Sequence, residues 1–453
     1  MKPVENNRSV WSNPVSEQLD RRTLLKESSL AALALVVVRG TATEESKSPL
    51  AGLPRAPGKH LDKIKALGDN AWLNLGSPAA DPKWGKGRGR SWSARMAYAP
   101  DLKAAFLFGE GVHAWWNKRN QRYMDDLFVY DIMAHRWVCA YPGTDVKYVD
   151  LKLDKNGFEV DENGRPIPVA QLSHGYEQLA YDSDLKRFMF MPGSSQDWQA
   201  SPFGKKRLAW GVKGQGFPNH CSPWLYDVRS GRWDLRKVAE PVPARSAVPL
   251  GMTFVYVPAM KKAFYWNPTV QEAWLYDPRK NTWENILSTK LKPKRPAPSG
   301  IDKVACLDPK RGRIYMGGAK DLWCYDLKTN AFIELRPKGK PPADVDNYLY
   351  GPFSTSRSVM NYDSANDVAV LFYHGNVGPR DTGKKGRGVY VYDPAANAWG
   401  EAPLTVPKEF CKCPSSFYDP RLNAHFIHCA GDSADDGIML VYRYKRAKVP
   451  KGL

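Results

Sequence analysis

The chain lacks most of the features that assign a function by motif. No apolar stretch is long enough to cross a bilayer. The longest strongly apolar run, Leu30 to Val38, holds nine residues, where about 20 are needed. There is no Gly-rich phosphate loop with its Lys and no nucleic-acid-binding motif. P-loop phosphate chemistry and sequence-specific nucleic-acid reading are therefore not expected. Cysteine is sparse, at seven in 453 residues. The number is odd and the positions are scattered, which argues against a disulfide framework. Cys411-Lys412-Cys413 is too closely spaced for a usual structural zinc pair, and no second pair faces it. Cys306 and Cys324 fall within apolar runs and read as small buried hydrophobes.

What is present is aromatic, turn-rich and basic. The 16 Trp and 22 Tyr favour strands, and 36 Gly with 36 Pro suit many turns. The formal net charge is +19. Its residues are spread over turns such as Pro278-Arg279-Lys280 and Pro309-Lys310-Arg311, and over a tail, so they read as a solvated basic surface. Near the start, Asp20-Arg21-Arg22-Thr23-Leu24-Leu25-Lys26 precedes the apolar run, and Arg39-Gly40-Thr41-Ala42 follows it. A basic region, a short apolar region and small residues, in that order, mark an export signal. The Arg21-Arg22 pair with Leu24-Leu25-Lys26 resembles a twin-arginine leader, with Asp20 where Ser or Thr is usual. Residues 1–42 are expected as the signal and 43–70 as a linker with one helical turn around Leu61–Leu67. The implied location is periplasmic or extracellular, with membrane contact only through an uncleaved signal. Twin-arginine substrates fold before export, so this location does not itself require disulfides.

One phrase organises the remainder. Tyr130-Asp131 is followed by Trp137, Tyr226-Asp227 by Trp233, Tyr276-Asp277 by Trp283, Tyr325-Asp326 by Phe332, and Tyr392-Asp393 by Trp399. In each copy the aromatic comes seven residues after the Tyr. Upstream of each lies a second apolar–turn–apolar phrase, such as Tyr181-Asp182 to Phe190 or Leu307-Asp308 to Met316, several of them ending in Gly. Both phrases read as β-hairpins. From Tyr130 through Tyr442 the Tyr-to-Tyr steps are 96, 50, 49, 67 and 50, a basal period near 50 interrupted by two insertions.

The Gly ending the second strand, the Tyr-Asp of the third and the later Trp resemble kelch repeats from about Asn70 to Tyr444. The usual Gly-Gly pair is kept only at Gly317-Gly318. The resemblance implies an all-β fold: a six-bladed kelch-type β-propeller of four-stranded antiparallel blades. The sixth copy, Leu440-Val441-Tyr442, has no aromatic after it. Ala71-Trp72-Leu73-Asn74-Leu75 matches the order of Thr282-Trp283-Glu284-Asn285-Ile286 and is expected to complete that blade. Residues 71–446 would then be the propeller, closed by an N-terminal strand, and 447–453 a basic tail.

Alternating strands place the short Tyr-Asp and Asp-Pro turns on one face and every long insertion on the other. Long loops on a rigid scaffold are where binding residues concentrate. The candidates on that face are His113, Trp115, Trp116 and Arg119 in the first unit, His174, Tyr176, Glu177, Trp198 and His220 in the second, and Tyr348, Arg357, His374, Arg380 and Asp381 in the fifth. His428 falls near the end of a sixth-unit strand. Aromatic and planar polar groups together suit sugar rings or planar ligands. The expected function is therefore a monomeric, non-catalytic binding module for protein or glycan, without a cofactor. The alternative is an exported enzyme on the same fold, either carbohydrate-active or a copper oxidase resembling galactose oxidase. The copper-ligating Tyr, His and Cys–Tyr set of that family has no residue-by-residue match here.

Overall fold

A computed structural model describes residues 48–109, 116–117, 122–145, 152–156, 159–167, 174–192, 222–243, 251–287, 297–298, 300, 302–318, 321–339, 351–375, 386–402, 405–431 and 437–445. Among the described residues a single α-helix, α1 (His60–Ala66), precedes strand β1 (Ala71–Asn74). Blade one comprises β2 (Ala97–Ala99), β3 (Ala104–Leu107), β6 (Leu127–Asp131) and β7 (Arg136–Tyr141), with a small hairpin β4 (Trp116–Asn117) and β5 (Arg122–Tyr123) between its second and third strands. A second small hairpin, β8 (Lys152–Leu153) and β9 (Glu159–Val160), lies between blades one and two. Blade two is β10 (Leu179–Asp182), β11 (Arg187–Phe190), β12 (Trp224–Asp227) and β13 (Arg232–Asp234). Blade three is β14 (Thr253–Val257), β15 (Lys262–Asn267), β16 (Glu272–Asp277) and β17 (Thr282–Leu287). Blade four is β18 (Ala305–Asp308), β19 (Arg313–Gly317), β20 (Leu322–Asp326) and β21 (Ala331–Glu334). Blade five is β22 (Ser358–Asp363), β23 (Val368–Tyr373), β24 (Gly388–Asp393) and β25 (Ala398–Glu401). Blade six is β26 (Ser415–Asp419), β27 (Ala424–Cys429) and β28 (Ile438–Arg443), and β1 is its fourth strand.

The six first strands neighbour one another in the order β2, β10, β14, β18, β22, β26 and back to β2. This is the six-bladed antiparallel propeller expected from the repeat, and β1 closes it. Trp72 pairs with Tyr442 in the β1–β28 register, and their rings lie 4.8 Å apart. The same pairing recurs at Tyr130–Trp137, Tyr226–Trp233, Tyr276–Trp283, Tyr325–Phe332 and Tyr392–Trp399, with ring separations of 5.7, 5.3, 5.0, 4.9 and 5.5 Å. A tight turn places two rings seven residues apart opposite each other, where cross-strand aromatic pairs stabilise a sheet.

The turns show why the phrase contains what it does. Each Tyr-Asp carboxylate caps its own turn: Asp277 Oδ1 accepts from the N–H groups of Arg279 and Lys280 at 2.9 and 3.1 Å. Asp131, Asp227, Asp326 and Asp393 do the same. Two residues before the aromatic the backbone turns left-handed, at His135, Asn281, Asn330, Asn397 and, before Trp72, Asn70. Asn tolerates that conformation, and its side chain has a second use. Tyr276, Tyr392 and Tyr442 donate their hydroxyls to Asn281, Asn397 and Asn70 at 2.8, 3.0 and 3.1 Å.

The core lies between blades as five aromatic–aliphatic clusters distributed around the ring. Within the segment expected as a linker, α1 buries Leu61 and Ile64 in the cluster between blades one and six. Gly317 ends β19 against the next blade: a Cβ there would meet the Phe353 side chain. Gly317→Ala is therefore expected to destabilise the protein by about 2 kcal/mol through overpacking, measured by urea denaturation. A cost within a few tenths would show that Phe353 moves aside freely. Among the described residues no helix is long and apolar enough to cross a membrane.

Candidate functional site

The six first strands enclose a cavity of about 290 Å³ on the ring axis. Towards the short-turn face it is lined by Tyr98, Tyr181, Tyr256, Tyr362 and Tyr418, at equivalent positions in five blades, with Leu307 at that position in blade four. These tyrosines tie blades together. Tyr98 donates to Asp419 at 3.1 Å, Tyr418 to Asp363 at 2.8 Å, and Tyr181 to Asp101 at 3.2 Å. The acidic groups of that face are thus engaged in turn capping and blade stitching.

The opposite end of the channel is built differently. Before β2, β10, β18 and β22 the chain runs through a polar segment, and hydrogen bonds join these segments and the first strands around the ring. Ala94 N–H donates to the Tyr176 carbonyl, Phe254 N–H to that of Glu177, Val304 N–H to that of Phe353, Cys413 N–H to that of Ser356, and Ser416 N–H to that of Ala94. Arg95 crosses the bore at this level. Its guanidinium donates to Glu177 Oε2 at 2.6 Å and to the Ala305 carbonyl at 2.8 Å, so one side chain from blade one joins blades two and four. Glu177 is buried, with its side chain 2% exposed. Burial pushes its carboxyl up to about 7, outweighing the adjacent Arg95 cation. Asp302, before blade four, is likewise pushed up to about 7 by burial, although Ser354 and Thr355 donate hydrogen bonds to it. Buried acids titrating near neutrality in a cleft mark candidate functional positions.

Of the residues singled out in the sequence, five are described with their side chains, and they form two groups. His174, Tyr176 and Glu177 lie together before β10. The His174 ring is buried against Trp92 at 4.8 Å and Tyr176 at 5.5 Å. Arg357 and His374 lie together at blade five, where the His374 N–H donates to the Arg357 carbonyl at 2.9 Å. Burial, then the Arg387 and Arg357 cations, lower His374 to about 4, so it is a neutral imidazole at pH 7. Blades two and five face each other across the ring, and no described contact joins the groups. His428 is not at the face but in the packed interior, its ring 5.0 Å from Trp137. Trp116 is described only as part of β4. His113, Trp115, Arg119, Trp198, His220, Tyr348, Arg380 and Asp381 lie outside the described residues.

Arg95, Trp92, Asp302 and Arg387 were not anticipated. For Arg95, Trp92 and Asp302 the one sequence signal is position, in polar stretches that precede a first strand; Arg387 immediately precedes the third strand of blade five. Among the described residues no group of three or more His, Cys, Asp or Glu is placed to hold a metal ion.

No known family's sequence profile matches the chain, and no curated protein matches it. Among solved structures it is similar to an auxiliary nutrient binding protein from Bacteroides thetaiotaomicron, with 10% identity over 82% of this chain and 76% of that one and a TM-score of 0.45. The corresponding protein from Bacteroides ovatus shows 12% identity over 82% and 76%, with a TM-score of 0.43. The PQQ-bound aldose sugar dehydrogenase of Streptomyces coelicolor shows 12% identity over 83% and 98%, with a TM-score of 0.40. Likenesses of this degree carry no functional argument.

Proposed function

We propose that the chain is an exported kelch-type propeller that binds a protein or glycan ligand at its long-loop face, over the end of the channel spanned by Arg95. The observation that carries this reading is the chemical asymmetry of the two faces. On one, carboxylates are consumed in capping their own turns. On the other, the buried ionisable groups Arg95, Glu177 and Asp302 and the rings of Trp92, His174 and Tyr176 gather at the end of the channel. Binding sites are concave surfaces with a few fixed polar groups, and the Arg95–Glu177 strut holds such groups rigidly. The His174–Trp92–Tyr176 cluster would form one side of the site and the Arg357–His374 pair the other; Trp115, Trp116 and Arg380 are further candidates on sequence grounds alone. The kelch assignment rests on the Tyr-Asp and aromatic spacing, and export rests on Arg21-Arg22 and the apolar run.

An array of immobilised oligosaccharides and a protein pull-down, both run with purified protein lacking residues 1–42, test this reading. A retained ligand should lose at least tenfold in affinity when Trp115 and Trp116 are both changed to Ala. It should be unaffected by Lys280→Ala on the short-turn face. A ligand lost through Lys280→Ala but not through the tryptophan pair would place binding on the wrong face and sink the reading.

A further inference from the structure

The connection between β25 and β26 crosses the seam where the ring closes. Arg387 donates to the carbonyls of Pro407 and Phe410. Phe410 packs on His374 at 6.4 Å and on the closing-strand residue Trp72 at 6.5 Å. Cys411 follows, half-buried, and its sulfur accepts the Gly431 N–H at 3.2 Å. Gly431 stands two residues beyond Cys429, the buried last residue of β27, so the Cys411 sulfur lies at the end of that strand. Both are free thiols, and they pack in the same core cluster. The Arg387 guanidinium is close enough to act electrostatically on both sulfurs. Nothing in the proposed ligand site uses this pair.

We propose that Cys411 and Cys429 are a redox pair that forms a reversible disulfide across the ring seam. Cys411 is the half-exposed member beside a cation, so it is the attacking thiolate; burial pushes the Cys429 thiol up and disfavours its ionisation. The Cys411 thiolate attacks a low-molecular-weight disulfide RSSR, forming Cys411–S–SR and releasing RS⁻. The Cys429 thiol, losing its proton, then attacks the Cys411 sulfur and releases the second RS⁻. The protein gives up two electrons and two protons, and RSSR becomes two RSH. The new bond pins the Phe410 segment to β27, and with it the contact to Trp72. It closes a loop between positions 18 residues apart, which restricts the unfolded chain as well. This placement exists in the fold itself, so the inference does not depend on ligand binding or export.

The test equilibrates the purified full chain with oxidised and reduced glutathione over a range of ratios, traps thiols with iodoacetamide and counts them by mass spectrometry. The reduced chain carries seven alkylated cysteines. The expected oxidised form carries five, with a peptide linking Cys411 to Cys429. Cys413→Ser should preserve the link and Cys411→Ser abolish it. The oxidised wild type should also melt several degrees higher than the reduced form, a difference absent in Cys411→Ser. Seven free thiols at the oxidising limit, a glutathione adduct that never resolves, or a link through Cys413 would each overturn the proposal. All three outcomes can be seen in the wild-type chain, without relying on a variant that folds.

Discussion

Trp72→Ala should cost about 3 kcal/mol, the scale of truncating a core aromatic rather than a surface one. Its ring contacts Tyr442, Phe372 and Phe410, so the lost packing reaches blades five and six and their connection. The backbone argument is stronger still. β28 has β27 on one side and β1 on the other. Removing β1 leaves an apolar strand, Ile438 to Arg443, with an unpaired edge, and such edges pair with other chains. A chain starting at residue 76 should therefore elute as aggregates rather than as a monomer. A chain starting at residue 69, which loses α1 but keeps β1, should remain monomeric. Size-exclusion chromatography and urea denaturation check both. If the two truncations behave alike, or if Trp72→Ala costs under 1 kcal/mol, β1 merely decorates the ring.

How far the sequence could be read follows from sequence distance. The Tyr–aromatic pairs lie seven residues apart, and a tight turn converts that spacing into ring contact with no other information. The repeat is local, so six copies could be counted and the sixth recognised as incomplete. The link from Trp72 to Tyr442 spans the whole propeller, yet it was legible because Trp72 repeats the local context of Trp283. Arg95 offered no such help. Its partners Glu177 and Ala305 lie 82 and 210 residues away, and nothing periodic marks any of the three. Before β2 an Arg reads as a solvated cation, and only ring closure turns it across the bore. The histidines were no easier to group by sequence. His174 and His374 do share the long-loop side, but on opposite blades. His428 is next to last in a strand whose side chains are buried throughout, so its position in the repeat concealed a core residue.

The two faces also divide the energetics. Short-turn carboxylates are held ionised: burial pushes Asp326 and Asp363 up, but Arg313, His425 and hydrogen-bond donors together outweigh it and bring both below the usual range. These groups stabilise the fold at neutral pH and lose that contribution in acid. At the other end, Glu177 and Asp302 are shifted upward. A fold selected for stability alone gains nothing from a carboxyl whose ionisation is suppressed by burial, which is a further reason to look for function at that end.

Replacing Glu177 by Gln should therefore change how stability depends on pH, with a definite sign. In the folded protein Glu177 holds its proton up to about 7, against an ordinary value of 4.5. Between those values the folded chain binds more protons than the unfolded one, so the Glu177 contribution falls as pH rises across the window and is flat above it. A shift of this size corresponds to roughly 3 kcal/mol. Wild-type stability alone would not reveal it. His135 and His374, lowered to about 4, and His428, lowered to about 3, all by burial first, act in the opposite direction over much of the same range. Asp302 acts in the same direction as Glu177. The difference between wild type and Glu177→Gln cancels those terms. Urea denaturation of both proteins from pH 4 to pH 8 should show the Gln variant gaining about 3 kcal/mol relative to wild type, with the change complete near pH 8. Parallel curves would mean that the ion pair with Arg95 outweighs burial and keeps Glu177 charged throughout. The strut would then be a fixed structural bridge with no titratable group at neutral pH.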